Sequence, residues 1–84
     1  MKKEVKIILV SGVAITIKEE DEATINGSID VKFKDIPRVV MGTVGDIVIC
    51  HKISTGEYME YYLTREKITW CYYSEYEECS ETAD

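Results

Sequence analysis

A chain of 84 residues, of which 45% are hydrophobic and 31% charged, can bury one small core. A domain of this size has little room for a deep active-site cleft, and its net charge of −6 works against nonspecific binding to nucleic acid. The acidity is concentrated in residues 74–84, which carry five carboxylates and no basic residue, so the first 73 residues are nearly neutral.

The N-terminal residues and the cysteine count indicate the cellular compartment. The apolar run from Ile7 to Val10 is only four residues long, which is too short for a signal peptide or a membrane span. The chain has three cysteines, and an odd number without a secretory signal favours reduced thiols over a disulfide framework. We therefore expect a cytoplasmic protein with no membrane contact.

The first residues have the alternation of a β-hairpin. Apolar side chains alternate along residues 5–10 and again along residues 13–18, which predicts two strands. Ser11-Gly12 between them predicts a two-residue turn, because glycine tolerates a positive φ. The acidic run 19–22 follows, and the mutual repulsion of its four carboxylates predicts a loop or a frayed edge.

The middle of the chain continues with turn signals and short strands. Asn26-Gly27 is a strong signal for a type I′ turn, which needs a positive φ at both central residues. Alternating apolar and charged residues predict a strand over 29–34, which Pro37 brings to an end. Residues 38–41 are interpreted as a further short strand.

The remaining strands complete the predicted fold. Residues 46–53 and 57–64 are separated by Ser54-Thr55-Gly56, the spacing of a three-residue hairpin loop with a left-handed glycine. Residues 67–73 are rich in side chains that favour strands. We therefore predict an all-β, mainly antiparallel fold, a meander of five to seven short strands curled into a partly open barrel or sandwich. Residues 1–73 would form this single β domain.

The C-terminal residues 74–84 are interpreted as an acidic tail. Their composition favours a solvated, partly disordered end, with an acidic contact surface as the alternative. The spacing Ser74-x-x-Glu77 also matches a capping box, which would open a short C-terminal helix reaching about Thr82.

Catalytic and metal-binding patterns are missing from the sequence. His51, the single histidine, is adjacent to Cys50 in a predicted strand, so the two side chains point to opposite faces. No C-x-x-C pair, phosphate loop or nucleophile elbow occurs. We expect no catalytic residue, no metal and no cofactor, and therefore no enzyme. His51 would lie on a polar strand face, and Cys50 and Cys71 would be small apolar core residues.

Aromatic residues are concentrated in one segment. Seven of the eight lie between residues 58 and 76. If residues 58–63 and 68–73 form adjacent strands, one face of the pair enters the core and the other exposes several rings. These rings suit a binding surface, and plain β propensity is the alternative explanation. The predicted binding residues are Tyr58, Glu60, Tyr62, Trp70, Tyr72 and Tyr76.

Two functions of different classes fit this sequence. The first is a non-catalytic binding protein whose acidic, aromatic surface docks onto a protein partner, as an inhibitor of a basic or nucleic-acid-binding protein. Short acidic hairpin proteins of this kind are common in phages and mobile elements, which is an analogy of class alone. The alternative is a small homo-oligomer, such as a dimer, that binds a nucleotide-like ligand in aromatic-lined interface pockets. Direct nucleic-acid binding is not expected, because the aromatic segment also carries carboxylates.

Overall fold

The computed structural model describes residues 1–28, 31–53 and 55–77. Over these ranges the chain has one α-helix, α1 (Ile36–Gly42), and three turns of 3-10 helix, at Glu19–Asp21, Phe33–Asp35 and Arg65–Lys67. The strands of the same ranges are β1 (Lys2–Leu9), β2 (Ala14–Lys18), β3 (Thr24–Ile25), β4 (Asp46–Lys52), β5 (Tyr58–Thr64) and β6 (Ile68–Tyr76). No helix in these ranges is long and apolar enough to cross a membrane.

The strands form two open antiparallel sheets, so the predicted all-β, mainly antiparallel fold is confirmed. The first sheet has the order β2-β1-β6 and the second sheet the order β3-β4-β5. Neighbours in sequence are neighbours in space within each hairpin, as in a meander, but β6 returns to pair with β1 at the start of the chain. Among the strands of the described residues, neither sheet closes into a barrel.

The inward faces of both sheets and one face of α1 share a single apolar cluster. On β1, Val5 and Ile7 face inward and are fully buried, because alternate residues of a strand point to the same side. Their partners on β6 are Tyr73 and Cys71. The buried members of the cluster are Val5, Ile7, Ile15, Ile17, Ile25, Ile36, Val40, Ile47, Ile49, Ile68 and Cys71.

The two long hairpins use the same three-residue loop. In the β1–β2 hairpin the Leu9 N–H donates to the Val13 carbonyl over 2.9 Å, and Gly12 adopts a φ of +94°. The loop therefore has one residue more than the predicted two-residue turn, because the left-handed glycine closes a longer loop. The β4–β5 hairpin has the same pattern, with the Ile53 N–H bonded to the Glu57 carbonyl over 2.9 Å. This bond encloses the three positions of the predicted loop, of which Ser54 lies outside the described residues.

The Asn26-Gly27 turn is confirmed, but the strand predicted over 29–34 is wrong for residues 31–34, whereas residues 29 and 30 lie outside the described residues. Asn26 and Gly27 have φ values of +54° and +82°, as a type I′ turn requires. The Asn26 side-chain oxygen also accepts a hydrogen bond of 2.8 Å from the Val48 N–H, which ties the turn to β4. Beyond the turn, the described residues pass through the 3-10 turn at Phe33–Asp35 into α1, where a strand was expected.

The helix α1 also replaces the short strand predicted over residues 38–41. Pro37 lies in its first turn, where a fixed φ suits the helix and a missing N–H is not needed. Ile36 and Val40 are buried, and their spacing of four places them on one helical face against the core. The alternation of apolar and charged side chains over the described residues 31–34 therefore leads into a helix and not into a strand.

The C-terminal part of the described chain is a strand. The pairs Ser74 with Glu4 and Tyr76 with Lys2 extend β6 through residue 76, so a helix opening at Ser74 is wrong. Pairing with β1 supplies the hydrogen bonds that a helix would otherwise provide. The rest of the predicted helix and tail, residues 78–84, lies outside the described residues, and the domain boundary predicted at residue 73 stays a prediction.

Candidate functional site

The six predicted binding residues lie on two sheets instead of one. β5 pairs with β4 and β6 pairs with β1, so the assumed adjacency of these two strands is wrong. The turn at Arg65–Lys67 redirects the chain because each of its ends is bonded to a different region. The Arg65 N–H donates to the Gly45 carbonyl over 2.9 Å, and the Lys67 carbonyl accepts from the Val10 N–H over 2.8 Å.

Three of the predicted residues form what we call the β5 surface: Tyr58, Glu60 and Tyr62. They alternate along β5 on its outward face, and all are exposed, with Tyr58 at 65% and Tyr62 at 72%. Their cross-strand neighbours on β4 are Lys52, Cys50 and Val48, respectively. This surface is a row of two phenol rings with a carboxylate between them.

The side chains of the β5 surface interact with one another and with β4. The Tyr62 hydroxyl donates to a Glu60 carboxylate oxygen over 3.0 Å. This hydrogen bond, and then the negative charge of Glu60, raise the pKa of Tyr62. The Lys52 ammonium lies 6.0 Å from the centre of the Tyr58 ring. Tyr62 also lines an open depression of about 300 Å³ together with Asp46 and Thr64.

The other three residues form what we call the β6 surface: Trp70, Tyr72 and Tyr76. They share the outward face of the first sheet and are exposed to 57%, 37% and 43%. Their cross-strand neighbours on β1 are Ile8, Lys6 and Lys2, respectively, and Lys6 lies 3.8 Å from Glu4. The acidic surroundings expected for the aromatic residues are therefore found on β5, whereas lysines flank the rings of β6.

His51 is buried, so the polar strand face predicted for it is wrong. It alternates with Ile47 and Ile49 on β4, which places its side chain on the inward face, where it is 2% exposed. Its Nδ1 lies 3.1 Å from an Asp21 carboxylate oxygen, and its ring stacks on Tyr61 with 5.8 Å between the ring centres. The alternation with two isoleucines was the sequence signal for this burial.

Asp21 shows that part of the acidic run 19–22 is structural. The carboxylate oxygen that contacts His51 also accepts a hydrogen bond of 2.9 Å from the Lys18 N–H. Asp21 is 4% exposed, whereas Glu19, Glu20 and Glu22 are exposed. We call the enclosed pair Asp21 and His51 the buried pair.

The buried pair is a structural feature of the core. His51 Nε2 is enclosed and has no hydrogen-bond partner within the described ranges. Cys50 points to the opposite face of β4, so it cannot act with His51 as a nucleophile and base. No group of three or more His, Cys, Asp or Glu side chains in the described chain is placed to hold a metal ion.

The two described cysteines differ in burial, and their reactivity is expected to differ accordingly. Cys71 is buried as predicted, but Cys50 is only half-buried on the outward face of β4, so its assignment to the core is wrong. Burial raises the pKa of Cys71 to about 11, partly offset by the positive charge of Arg65. In a Cys79→Ser background at pH 8, we expect a thiol reagent to modify Cys50 much faster than Cys71.

Site-specific rates from mass spectrometry would check this expectation, with urea-unfolded protein as the control in which both thiols react alike. Equal rates in the folded protein would contradict it.

The raised pKa of Cys71 also makes stability depend on pH. Since the folded-state pKa of Cys71 is above its ordinary 9.0, the contribution of this thiol to the free energy of unfolding is complete below about pH 9 and is lost as the pH rises toward 11.

Three features therefore differ in what they offer a partner. The β5 surface presents rings with a carboxylate, the β6 surface presents rings with lysines, and the buried pair is closed to solvent. Exposed tyrosine and tryptophan rings are suited to binding, because they provide large contact areas with few torsions to restrict. Comparison of the chain with protein-family models, with curated protein sequences and with solved structures finds no significant match.

Proposed function

We propose that this chain is a non-catalytic binding protein that docks onto a protein partner through the β5 surface. The partner is a basic protein, such as one that binds nucleic acid, and the chain acts as its inhibitor by covering the basic surface. The observation that carries this proposal is the exposure of Tyr58 and Tyr62 on either side of Glu60, on one face of one strand.

The two tyrosines supply the contact area. Both rings point away from the core, so covering them costs no rearrangement of the fold. Aromatic residues with few torsions are the usual centres of binding energy at protein interfaces. On the outward face of β5 only Glu60 lies between the two rings, so both rings can enter neighbouring pockets of one partner.

The contacts within the surface favour binding by fixing the side chains beforehand. The hydrogen bond from Tyr62 to Glu60 and the position of Lys52 at the Tyr58 ring limit the rotation of both tyrosines. Below the surface, Ile47 and Ile49 anchor β4 in the core and hold β5 in register. Less conformational entropy is then lost when a partner binds.

The charge of this region indicates a basic partner. Glu60 and Asp46 are exposed on the outward face of the second sheet, Glu57 precedes β5, and Lys52 is the cation opposite Tyr58. An acidic rim attracts lysine and arginine side chains and accelerates the encounter at low salt. Groups of this kind line the grooves that hold nucleic-acid phosphates, so the same surface would compete for them.

The test is to identify a partner and to measure its affinity for variants of the β5 surface. A pull-down from host lysate with mass spectrometry would name the partner, and calorimetry with the purified partner would give the dissociation constant. We expect the double variant Tyr58→Ala, Tyr62→Ala to weaken binding at least about tenfold, because truncating an interface centre typically costs more than 1 kcal/mol.

The control is Val44→Ala, which shortens a 95% exposed apolar side chain outside the β5 surface. It should bind the partner as the unmodified chain does. Thermal unfolding should be similar for all variants, because none of the changed residues is buried. Unchanged affinity in the double tyrosine variant, or an association rate that does not fall at raised salt, would rule the proposal out.

A further inference from the structure

The outer edge of β6 is open in the described structure. β6 pairs with β1 on one side, and its other side meets no strand within the described ranges. Arg65 bonds the Ile68 carbonyl at the start of the strand, and no other hydrogen bond outside the β1 ladder reaches the backbone of residues 69–76 among the residues described. An open edge of this length is a template for pairing with another strand.

The register shows which backbone groups are free. The Leu9 N–H donates to Val13 on β2, so Leu9, Ile7 and Val5 point their backbone groups toward β2. The residues between them point toward β6 and bond to its even-numbered residues. The backbone N–H and C=O groups of Cys71, Tyr73 and Glu75 therefore point away from β1, toward the open edge of the sheet.

The sequence of β6 lacks the usual protection of an edge strand. Edges are normally blocked by lysine, proline or a bulge in the middle of the strand. In β6 the register shift lies at its beginning, between Ile8 and Leu9 of β1, so residues 70–76 are regular. Glu75, the single charged residue of β6, lies next to the end of the strand, and β6 contains no lysine or proline.

We propose that two copies of this chain pair through β6, in antiparallel orientation, and join their first sheets into one six-stranded sheet. The regular stretch 70–76 is centred on Tyr73, so a two-fold axis there lets the free groups of Cys71 bond to those of Glu75 in the partner copy. Tyr73 bonds to its own counterpart. The outward N–H and C=O groups of Cys71, Tyr73 and Glu75 in both copies are then paired.

The side chains favour a second copy as the occupant of this edge. In this register Glu75 meets Cys71 and never another carboxylate, so the pairing brings no like charges together. On the outward face Trp70 lies opposite Tyr76 of the other copy, once on each side of the axis. These rings are 57% and 43% exposed in the single chain, and a cross-strand aromatic pair would cover part of both.

The β5 surface has no part in this pairing, so the dimer and the proposed inhibitor function can fail independently. The first measurement is the mass of the protein by light scattering and sedimentation from low to high micromolar concentration. We expect a reversible equilibrium between the 9.6 kDa chain and its dimer. A monomer at every concentration would overturn the proposal.

A matched pair of variants locates the interface. Glu75→Pro removes an N–H that faces outward and places a ring on the edge, whereas Glu75→Ala removes the same carboxylate and keeps the N–H. We expect Glu75→Ala to dimerise like the unmodified chain. Glu75→Pro should raise the dimer dissociation constant at least about tenfold, because the two-fold axis removes its hydrogen bond twice. Equal dimerisation of the two variants would overturn the proposal.

Hydrogen exchange of the unmodified chain gives a reading that needs no variant. Peptides covering residues 71–76 should exchange more slowly at high protein concentration than at low concentration. Peptides covering the outer edge of β5 should exchange equally at both concentrations. Protection that does not depend on concentration at β6, or that appears at β5 instead, would exclude the β6 edge as the interface.

Discussion

Replacing Asp21 by alanine is expected to lower the free energy of unfolding by about 3 kcal/mol, because the buried His51 ring and the part-buried Lys18 N–H lose the acceptor that they share. The lost acceptor is the carboxylate oxygen that lies 2.9 Å from the Lys18 nitrogen and 3.1 Å from His51 Nδ1. A buried donor without a partner costs about 1–3 kcal/mol, and neither donor has a second partner at hand among the described residues. His51 would then have both ring nitrogens without a partner in the core.

Urea unfolding followed by tryptophan fluorescence would measure this loss, with Glu20→Ala as the matched control. Glu20 belongs to the same acidic run and the same 3-10 turn, but it is exposed. Its replacement should change the free energy of unfolding by less than about 0.5 kcal/mol. Similar losses for the two variants would mean that the acidic run acts only through its charge.

A double-mutant cycle with His51→Ala separates the pair from the general cost of truncation. If the two side chains act as one unit, the double variant should lose less stability than the two single variants together, with a coupling of about 1–3 kcal/mol. A coupling near zero would contradict the interaction between Asp21 and His51.

The hairpins were predictable from the sequence because their signals are local. A left-handed glycine such as Gly56 and the Asn26-Gly27 pair determine the turn, and alternation determines which strand residues share a face. The one-residue error at Ser11-Gly12 has the same origin. Both a two-residue and a three-residue loop contain a glycine with positive φ, so the loop length follows from the register of β1 and β2.

The helix α1 was not predicted because a short segment can fit both the helical repeat of about 3.6 residues and the strand repeat of about two residues. Ile36 and Val40 have helical spacing, but seven residues with an early proline also fit a broken strand. What favours the helix is the apolar cluster, which the two isoleucine-rich sheets leave open for one more element. That requirement comes from the packing of distant residues, and the helical spacing of Ile36 and Val40 does not express it alone.

The strand face on which each predicted binding residue lies was predictable, and the grouping of these residues into two surfaces was not. Alternation correctly placed Tyr58 with Tyr62 and Trp70 with Tyr72. Their separation into two surfaces depends on the pairing of β6 with β1, which joins the two ends of the described chain. The buried pair is a similar case. The alternation of His51 with buried isoleucines indicates that it is buried, but its partner Asp21 is 30 residues away and no local pattern identifies it.

The second large effect is the loss of stability that we expect for Ile7→Ala, because β1 is the central strand of the first sheet. Ile7 is fully buried at the centre of the first sheet, between Ile15 on β2 and Cys71 on β6. Removing its side chain beyond Cβ loses apolar burial and leaves a cavity, at a cost of about 3–4 kcal/mol. This is a large part of the about 5–15 kcal/mol that stabilises a typical domain.

The neighbouring residue provides the control. Ile8 has the same side chain but lies on the outward face, half-buried between Trp70 and Ala14, so Ile8→Ala should cost about 1 kcal/mol or less. The difference between two identical substitutions one residue apart measures the orientation of β1 directly, because a register slip of one residue would exchange the two faces. Equal losses in urea unfolding would contradict the register, and with it the outward position of Trp70 and Tyr72 on which the β6 surface depends.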